Sequence, residues 1–272
     1  MEQRATTESF RANGIDIFYE RGGTGPRLVF LNGSGATIES SRLLFAPLLD
    51  DFEVLVHDQR GLGRTGIPDR PATMDDYAAD VEALMDRAGW ESASIVGVSF
   101  GGMVAQEFAV TYPQRVDSLV LMCTSPGGAY SSYPLHELEA LEPAERSARY
   151  RRLLDERFDD EWLADHPLDS ILVSIMEERG RVEKSAEQRR GERLQLDARR
   201  GHDVNDRLDL VAARTLVVSG RYDGIAPPRT GQAIADRIPG AVLRLFEGGH
   251  LLVFQDPTAY PCVIEFLLET SA

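Results

Sequence analysis

The chain is short of the residues that staple proteins together or anchor them. Only two of its 272 residues are cysteines, Cys123 and Cys262, so no disulfide framework can be drawn. No CxxC pair or Cys/His cluster offers ligands, so no metal is expected. Cys123 closes an apolar run and Cys262 lies in the last helical segment; both read as small buried hydrophobes. Lysine is nearly missing, with Lys184 alone, and arginine supplies the rest of the positive charge. No stretch approaches 18 consecutive apolar residues, and the opening MEQRATTESF has no apolar signal region. A cytoplasmic protein is therefore expected, independent of membranes. The formal charge of −15 repels nucleic acid and anionic lipid alike, so neither is expected as a partner.

What is present fits a large α/β domain. Short apolar runs alternate with helical patterns: Leu28–Leu31, Val54–His57, Ser94–Val98, Ser118–Cys123, Thr215–Ser219 and Val242–Phe246. Several lack polar alternation, as strands buried on both faces do. An earlier pair, Ser9–Ala12 and Ile15–Tyr19, is joined by Asn13-Gly14, a strong hairpin signal. Thr73 can cap a helix over Met74–Ala88, with Asp76 closing a capping box and Tyr77, Val81, Leu84 and Met85 on one face. Asp256-Pro257 reads as an N-cap and first-turn proline opening the C-terminal helix. The fold class that follows is α/β, a mostly parallel central sheet flanked by helices.

The alternation breaks after Ser125. From residue 126 to 208 the chain is dense in Glu, Asp and Arg with helical spacing, and strand character resumes at Thr215. The simplest division is a core of residues 1–125 and 209–272 with a helical cap, residues 126–208, inserted over the sheet's carboxyl edge. Open α/β sheets place their binding crevices at that edge.

Gly97-Val98-Ser99-Phe100-Gly101 matches GxSxG, a pattern that chance alone produces in roughly one chain in ten of this length. Its context is the stronger signal. It follows a buried strand and opens a helix, Gly102–Thr111, so the glycines permit a sharp strand-to-helix turn that lifts the Ser99 hydroxyl above the edge. A serine hydroxyl needs a base. His57 ends a strand, and His136, His166 and His202 lie in the charged insertion, where surface histidines are expected. His250, in Glu247-Gly248-Gly249-His250, follows the last apolar run and reaches the same edge as Ser99. The acid that orients such a base is Asp223, in the loop after Thr215–Ser219. The loop Cys123–Gly128 contains no carboxylate. For the oxyanion, the N–H of Phe100 and the N–H of Ser34 are the expected donors, the latter in Asn32-Gly33-Ser34-Gly35.

With these residues in place the chain resembles the α/β-hydrolase superfamily over essentially its whole length. The matching motifs are Gly97–Gly101 with Gly102-Met103, Asp58-Gln59-Arg60-Gly61-Leu62-Gly63, the Asp223 loop and Gly249-His250. The order Ser99, Asp223, His250 is the superfamily's own. The resemblance implies a structural role for the Asp58–Gly63 loop and no catalytic role for Arg60. One departure stands out: most members carry His-Gly at the oxyanion loop, and here it is Asn32-Gly33. Bacterial 3-oxoadipate enol-lactonases look like this too and share a helix similar to Gly102-Met103-Val104-Ala105-Gln106.

The expected activity is cofactor-independent hydrolysis of a small carboxylic ester or lactone. Asn32, Gly33, Tyr130, Tyr133 and Leu251 are candidate substrate contacts, although core packing accounts for the Leu251–Phe254 run equally well. Cap arginines binding a substrate carboxylate, as an enol-lactone requires, remain an alternative. So do carbon–carbon bond hydrolysis by the same triad and a slow-turnover ligand receptor on this fold.

Overall fold

Asn13 and Gly14 both take positive φ, 48° and 81°, and turn β1 (Thr6–Ala12) back onto β2 (Ile15–Gly22). The computed structural model describes residues 6–269. Six more strands complete one sheet: β3 (Arg27–Leu31), β4 (Glu53–His57), β5 (Ala93–Val98), β6 (Val116–Met122), β7 (Arg214–Gly220) and β8 (Val242–Phe246). Their order is β1-β2-β4-β3-β5-β6-β7-β8. Only β2 runs antiparallel to its neighbours, β1 and β4; the rest pair in parallel. The order reverses between β3 and β5, where Leu31 pairs with Gly97. Such a reversal opens a crevice at the strands' carboxyl ends.

Period-two alternation divides the strand residues between two apolar layers. Leu28, Phe30, Val56, Val96, Val120 and Val218 face α1 (Ile38–Phe45) and α10 (Ala259–Leu268). Val29, Leu31, Leu55, Ile95, Leu121 and Val217 face α2 (Met74–Ala88), α3 (Phe100–Thr111) and α8 (Pro228–Arg237). The capping box at Thr73 and Asp76 forms as the spacing implies, and Tyr77, Val81, Leu84 and Met85 are buried.

Between β6 and β7 the chain leaves the sheet for α4 (Pro143–Leu154), α5 (Asp160–Asp165), α6 (Pro167–Arg181) and α7 (Ala186–Arg200). These helices share a small apolar cluster of Leu138, Leu153, Leu154, Phe158 and Val173, to which Ile225 of the core adds. α7 meets the Asp58–Gly63 loop at Gly191, where a Cβ would run into the backbone of Gly61. Among the described residues no helix is long and apolar enough to cross a membrane.

Several boundaries differ from the sequence reading. β6 stops at Met122 because Cys123 takes φ 48° and leaves the strand. α3 begins at Phe100, two residues early, directly behind the turn at Ser99. α10 begins at Ala259, and Asp256 instead closes a turn ahead of it. Its carboxylate accepts from the Thr258 N–H at 2.9 Å and the Thr258 hydroxyl at 2.6 Å. A four-residue helix, α9 (Leu252–Gln255), precedes that turn. Cys262 is half-buried and not fully enclosed. His202 is buried, contrary to the surface position expected of it, because its carbonyl packs against Gly127 and draws the residue inward.

His57 is also buried, beside the Arg60–Asp80 pair, and its Nδ1 has no partner. Loss of hydration lowers its pKa from 6.5 to about 4. The folded value lies below the unfolded one, so this stability is complete above pH 6.5 and lost as pH falls toward about 4. The contribution is about 3 kcal/mol. Urea midpoints measured across that window should fall with acidification, and His57→Leu should flatten the slope; an unchanged slope would contradict this assignment.

Candidate active site

Ser99 stands between β5 and α3 with φ 54° and ψ −113°, a conformation that non-glycine residues seldom adopt. Its N–H donates to Met122 O at 2.8 Å, and its carbonyl accepts from the Thr124 hydroxyl at 2.7 Å. Three glycines allow so tight a turn. A Cβ at Gly97 would strike the Gly101 carbonyl, one at Gly101 the Leu31 carbonyl, and one at Gly102 the Thr124 side chain at 2.6 Å. The Ser99 side chain is thereby held at the end of the sheet, 6% exposed.

His250 Nε2 lies 3.0 Å from Ser99 Oγ, and His250 Nδ1 lies 2.8 Å from Asp223 Oδ2. The other carboxylate oxygen, Oδ1, accepts from the N–H groups of Ile225 and Ala226, both at 2.8 Å. Asp223 is thus fully paired while almost completely buried. The His250 main chain is held from the insertion side as well, where its N–H donates to Leu154 O at 2.6 Å. Gly249 N–H donates to Gln255 Oε1 at 2.9 Å, and the Gln255 amide in turn reaches Asp155 at 3.0 Å.

The loop after β3 lies across from Ser99, with Gly33 close enough that a Cβ there would sit 3.6 Å from the Ser99 Cβ. Among the described residues neither the Ser34 nor the Phe100 N–H is used by a backbone carbonyl outside the helices and strands. Two glutamines brace this loop, and neither stood out in the sequence. Gln59 Nε2 donates to Asn32 O at 2.6 Å, and Gln195 of α7 accepts from Gly35 N–H at 2.7 Å. Gly191 and Gln195 are spaced four apart on the inward face of α7. The stripe is small and polar, so periodicity alone reads it as solvated. The Asn32 side chain is fully buried with neither its oxygen nor its nitrogen partnered. Arg60 is paired bidentately with Asp80, both bonds 2.7 Å, in keeping with a structural role.

The candidate substrate contacts divide. Tyr133 and Leu251 are half-buried and pack on the insertion's apolar cluster, Tyr133 beneath the Arg149 guanidinium. Tyr130 is 42% exposed and stands outside that cluster. Leu252 belongs to the layer beneath the sheet, so the Leu251–Phe254 run is split between two environments. A cavity of about 800 Å³ lies between α4 and α6, lined by Tyr150, Leu154, Val173 and Met176 but by none of the three residues above. Leu154, one of its lining residues, accepts the His250 N–H through its carbonyl. Cys123, Asp223 and His250 bring potential metal-ligand atoms within 4.8 Å of one another. Burial beside Asp223 raises the Cys123 thiol pKa, and His250 Nδ1 is already bonded to Asp223, so this donor set suits a hydrogen-bond chain and not a cation.

A family model described as the alpha/beta hydrolase fold matches residues 26–152. The 2-hydroxymuconate semialdehyde hydrolase of a Pseudomonas species is 30% identical over 275 residues, spanning 96% of this chain and 93% of its own. The chain belongs to the α/β-hydrolase family. 3-Oxoadipate enol-lactonase 2 of Acinetobacter baylyi is 25% identical to this α/β hydrolase over 249 residues, 90% of this chain and 89% of the relative. The crystal structure of a hydrolase from Pseudomonas aeruginosa superposes with a TM-score of 0.78 at 26% identity, covering 99% of this chain and all of that one.

The packing at the Ser99 turn yields a direct test. Gly101→Ala in this hydrolase should lower stability by about 3 kcal/mol by urea denaturation, because backbone and not a flexible side chain occupies the Cβ position. Wild-type stability in that variant would contradict the packing described.

Proposed function

We propose that the protein is a serine hydrolase that cleaves a small carboxylic ester or lactone through an acyl-enzyme. The observation that carries this reading is the continuous hydrogen-bond chain Ser99 Oγ, His250, Asp223, with bonds of 3.0 and 2.8 Å. Ser99 Oγ attacks the carbonyl carbon while its proton passes to His250 Nε2. The resulting alkoxide is received by the N–H groups of Phe100 and Ser34, preorganised donors on rigid backbone. Asp223 keeps the Nδ1 proton in place and offsets the imidazolium charge. The carbon–oxygen bond to the leaving alcohol then breaks as Nε2–H returns its proton. In a lactone the freed hydroxyl stays attached to the acyl chain. Water, deprotonated by His250, attacks the acyl-enzyme by the same route and releases the acid.

A second reading has one observation in its favour, the 30% identity to a 2-hydroxymuconate semialdehyde hydrolase. The same three residues would then cleave a carbon–carbon bond, with a carbanion equivalent leaving in place of an alkoxide. A panel of p-nitrophenyl esters, lactones and vinylogous diketones, assayed by steady-state kinetics, separates the two. Preference for esters or lactones supports the first reading, and preference for the diketones the second. Cleavage of only about one equivalent per protein would favour a ligand receptor instead.

The variants rank the roles. Ser99→Ala and Asp223→Asn should each lower kcat by about 10⁴-fold or more. Asn32→Ala should cost far less, because the donors on its loop are backbone groups that a side-chain change leaves intact. Equal losses in Asn32→Ala and Ser99→Ala would contradict the oxyanion assignment.

A further inference from the structure

Two arginines among the described residues are buried, and they are treated differently. Arg60 is neutralised by Asp80. Arg199, near the end of α7, is 7% exposed and makes only neutral bonds, Nη1 to Tyr133 O at 3.0 Å and Nη2 to Ser132 Oγ at 2.8 Å. Its Nε has no partner. Leaving a buried guanidinium without a counter-ion is costly, and structures seldom do so without a reason. Three residues on, His202 is 4% exposed with both ring nitrogens unpartnered. The Ser125 carbonyl near its ring also accepts from Gln106, at 3.1 Å.

Arg199 and His202 line a common cavity of about 190 Å³, together with Arg200, His136 and Ser132. Four of these five side chains are basic, in a protein whose net charge is −15. Nearby acids have partners of their own. Glu107 is held bidentately by Arg207, both bonds 2.7 Å, and Asp203 accepts from the Asn205 N–H at 3.3 Å. Burial lowers the Arg199 pKa to about 10 and that of His202 to about 4, outweighing the pull of Tyr150 and Asp223 on Arg199 and of Glu107 and Asp203 on His202. The volume suits a carboxylate bearing a few carbons and falls below the ~300–1,000 Å³ of sites for drug-sized ligands.

The cavity adjoins the hydrolytic centre. Met103, one helical turn beyond Ser99, lines it. Tyr133, whose carbonyl holds Arg199, donates its N–H to Ile225 O at 2.7 Å, and the Ile225 N–H donates to Asp223 at 2.8 Å. We propose that Arg199, Ser132 and His202 form a binding site for a carboxylate beside the triad. The carboxylate comes either from the substrate's own acid group, which rests on the hydrolase reading above, or from a small free acid bound next to the substrate. Planar oxygens match the guanidinium fork, and charge-assisted bonds to Arg199 supply the affinity.

The test begins without substrate. Sodium acetate is titrated into the protein against sodium chloride at equal ionic strength, with histidine-ring NMR as the readout. A saturable shift of the His202 resonance is expected in the wild type, absent from Arg199→Gln and weaker in Ser132→Ala; the second variant serves if the first does not fold. Hydrolysis of half-esters of dicarboxylic acids is then compared with that of neutral esters of equal length. If the substrate supplies the carboxylate, half-esters are preferred, acetate competes with them, and Arg199→Gln lowers the half-ester to neutral-ester ratio of kcat/KM by ~10- to 100-fold. If a free acid is the ligand, acetate acts alike on both ester classes and loses its effect in Arg199→Gln. No saturable shift together with no half-ester preference overturns the proposal, as does a preference that survives Arg199→Gln. Should no ester be hydrolysed at all, the hydrolase reading fails and the acetate titration still decides the site.

Discussion

The left-handed backbone at Ser99 is the constraint around which the rest of the site is arranged. A serine at φ 54° and ψ −113° costs of order 1–3 kcal/mol and persists only where its surroundings over-determine it. Here they do so from three sides. β6 receives the Ser99 N–H, Thr124 holds the Ser99 carbonyl, and Thr230 of α8 donates to the Thr124 carbonyl at 2.7 Å. Gly97, Gly101 and Gly102 supply the missing volume that lets α3 press against the ends of β3 and β6. Relaxing the turn would require moving three strands, so the fold's stability is what keeps the hydroxyl in place.

The inserted helices take part in the same arrangement. Leu154 O receives the His250 N–H, Leu153 O receives the Gly224 N–H beside Asp223, and Gln195 takes the Gly35 N–H of the loop facing Ser99. Each of the three loops converging on Ser99 is therefore tied to the insertion by at least one hydrogen bond from or to its backbone. The close approach of Gly191 to Gly61 sets the distance at which those bonds can form. A change of register in α7 would move Gln195, and Arg199 four residues further on, away from the site together.

Much of this was legible in the sequence where one local rule acts alone. Asn13-Gly14, the Thr73–Asp76 capping box and the buried strand runs each announce their element, and a strand, a glycine turn and a helix around Ser99 announce a nucleophile turn. Ser99, Asp223 and His250 could be read because each falls in a loop at the same end of a parallel strand, and the structure brings them within hydrogen-bond reach. What stayed hidden depends on contacts between distant segments. Gln195 and Arg199 are polar residues that look solvated in a charged stretch, and only the packing of α7 on the core turns them inward. His202 was misjudged for the same reason, since its burial follows from pairing between Gly127 and Asp203 that no local pattern encodes. Asp256 had the composition of a helix cap and made a turn instead, because its carboxylate found Thr258 two residues ahead.

The measurement that bears most directly on the central claim is covalent labelling with a fluorophosphonate, followed by peptide mass spectrometry. Such a probe traps a serine only where a base and oxyanion donors activate it. The account predicts a single adduct, on Ser99, formed stoichiometrically in the folded protein and abolished in His250→Ala. An adduct on another serine, or labelling of Ser99 at the wild-type rate in His250→Ala, would contradict it.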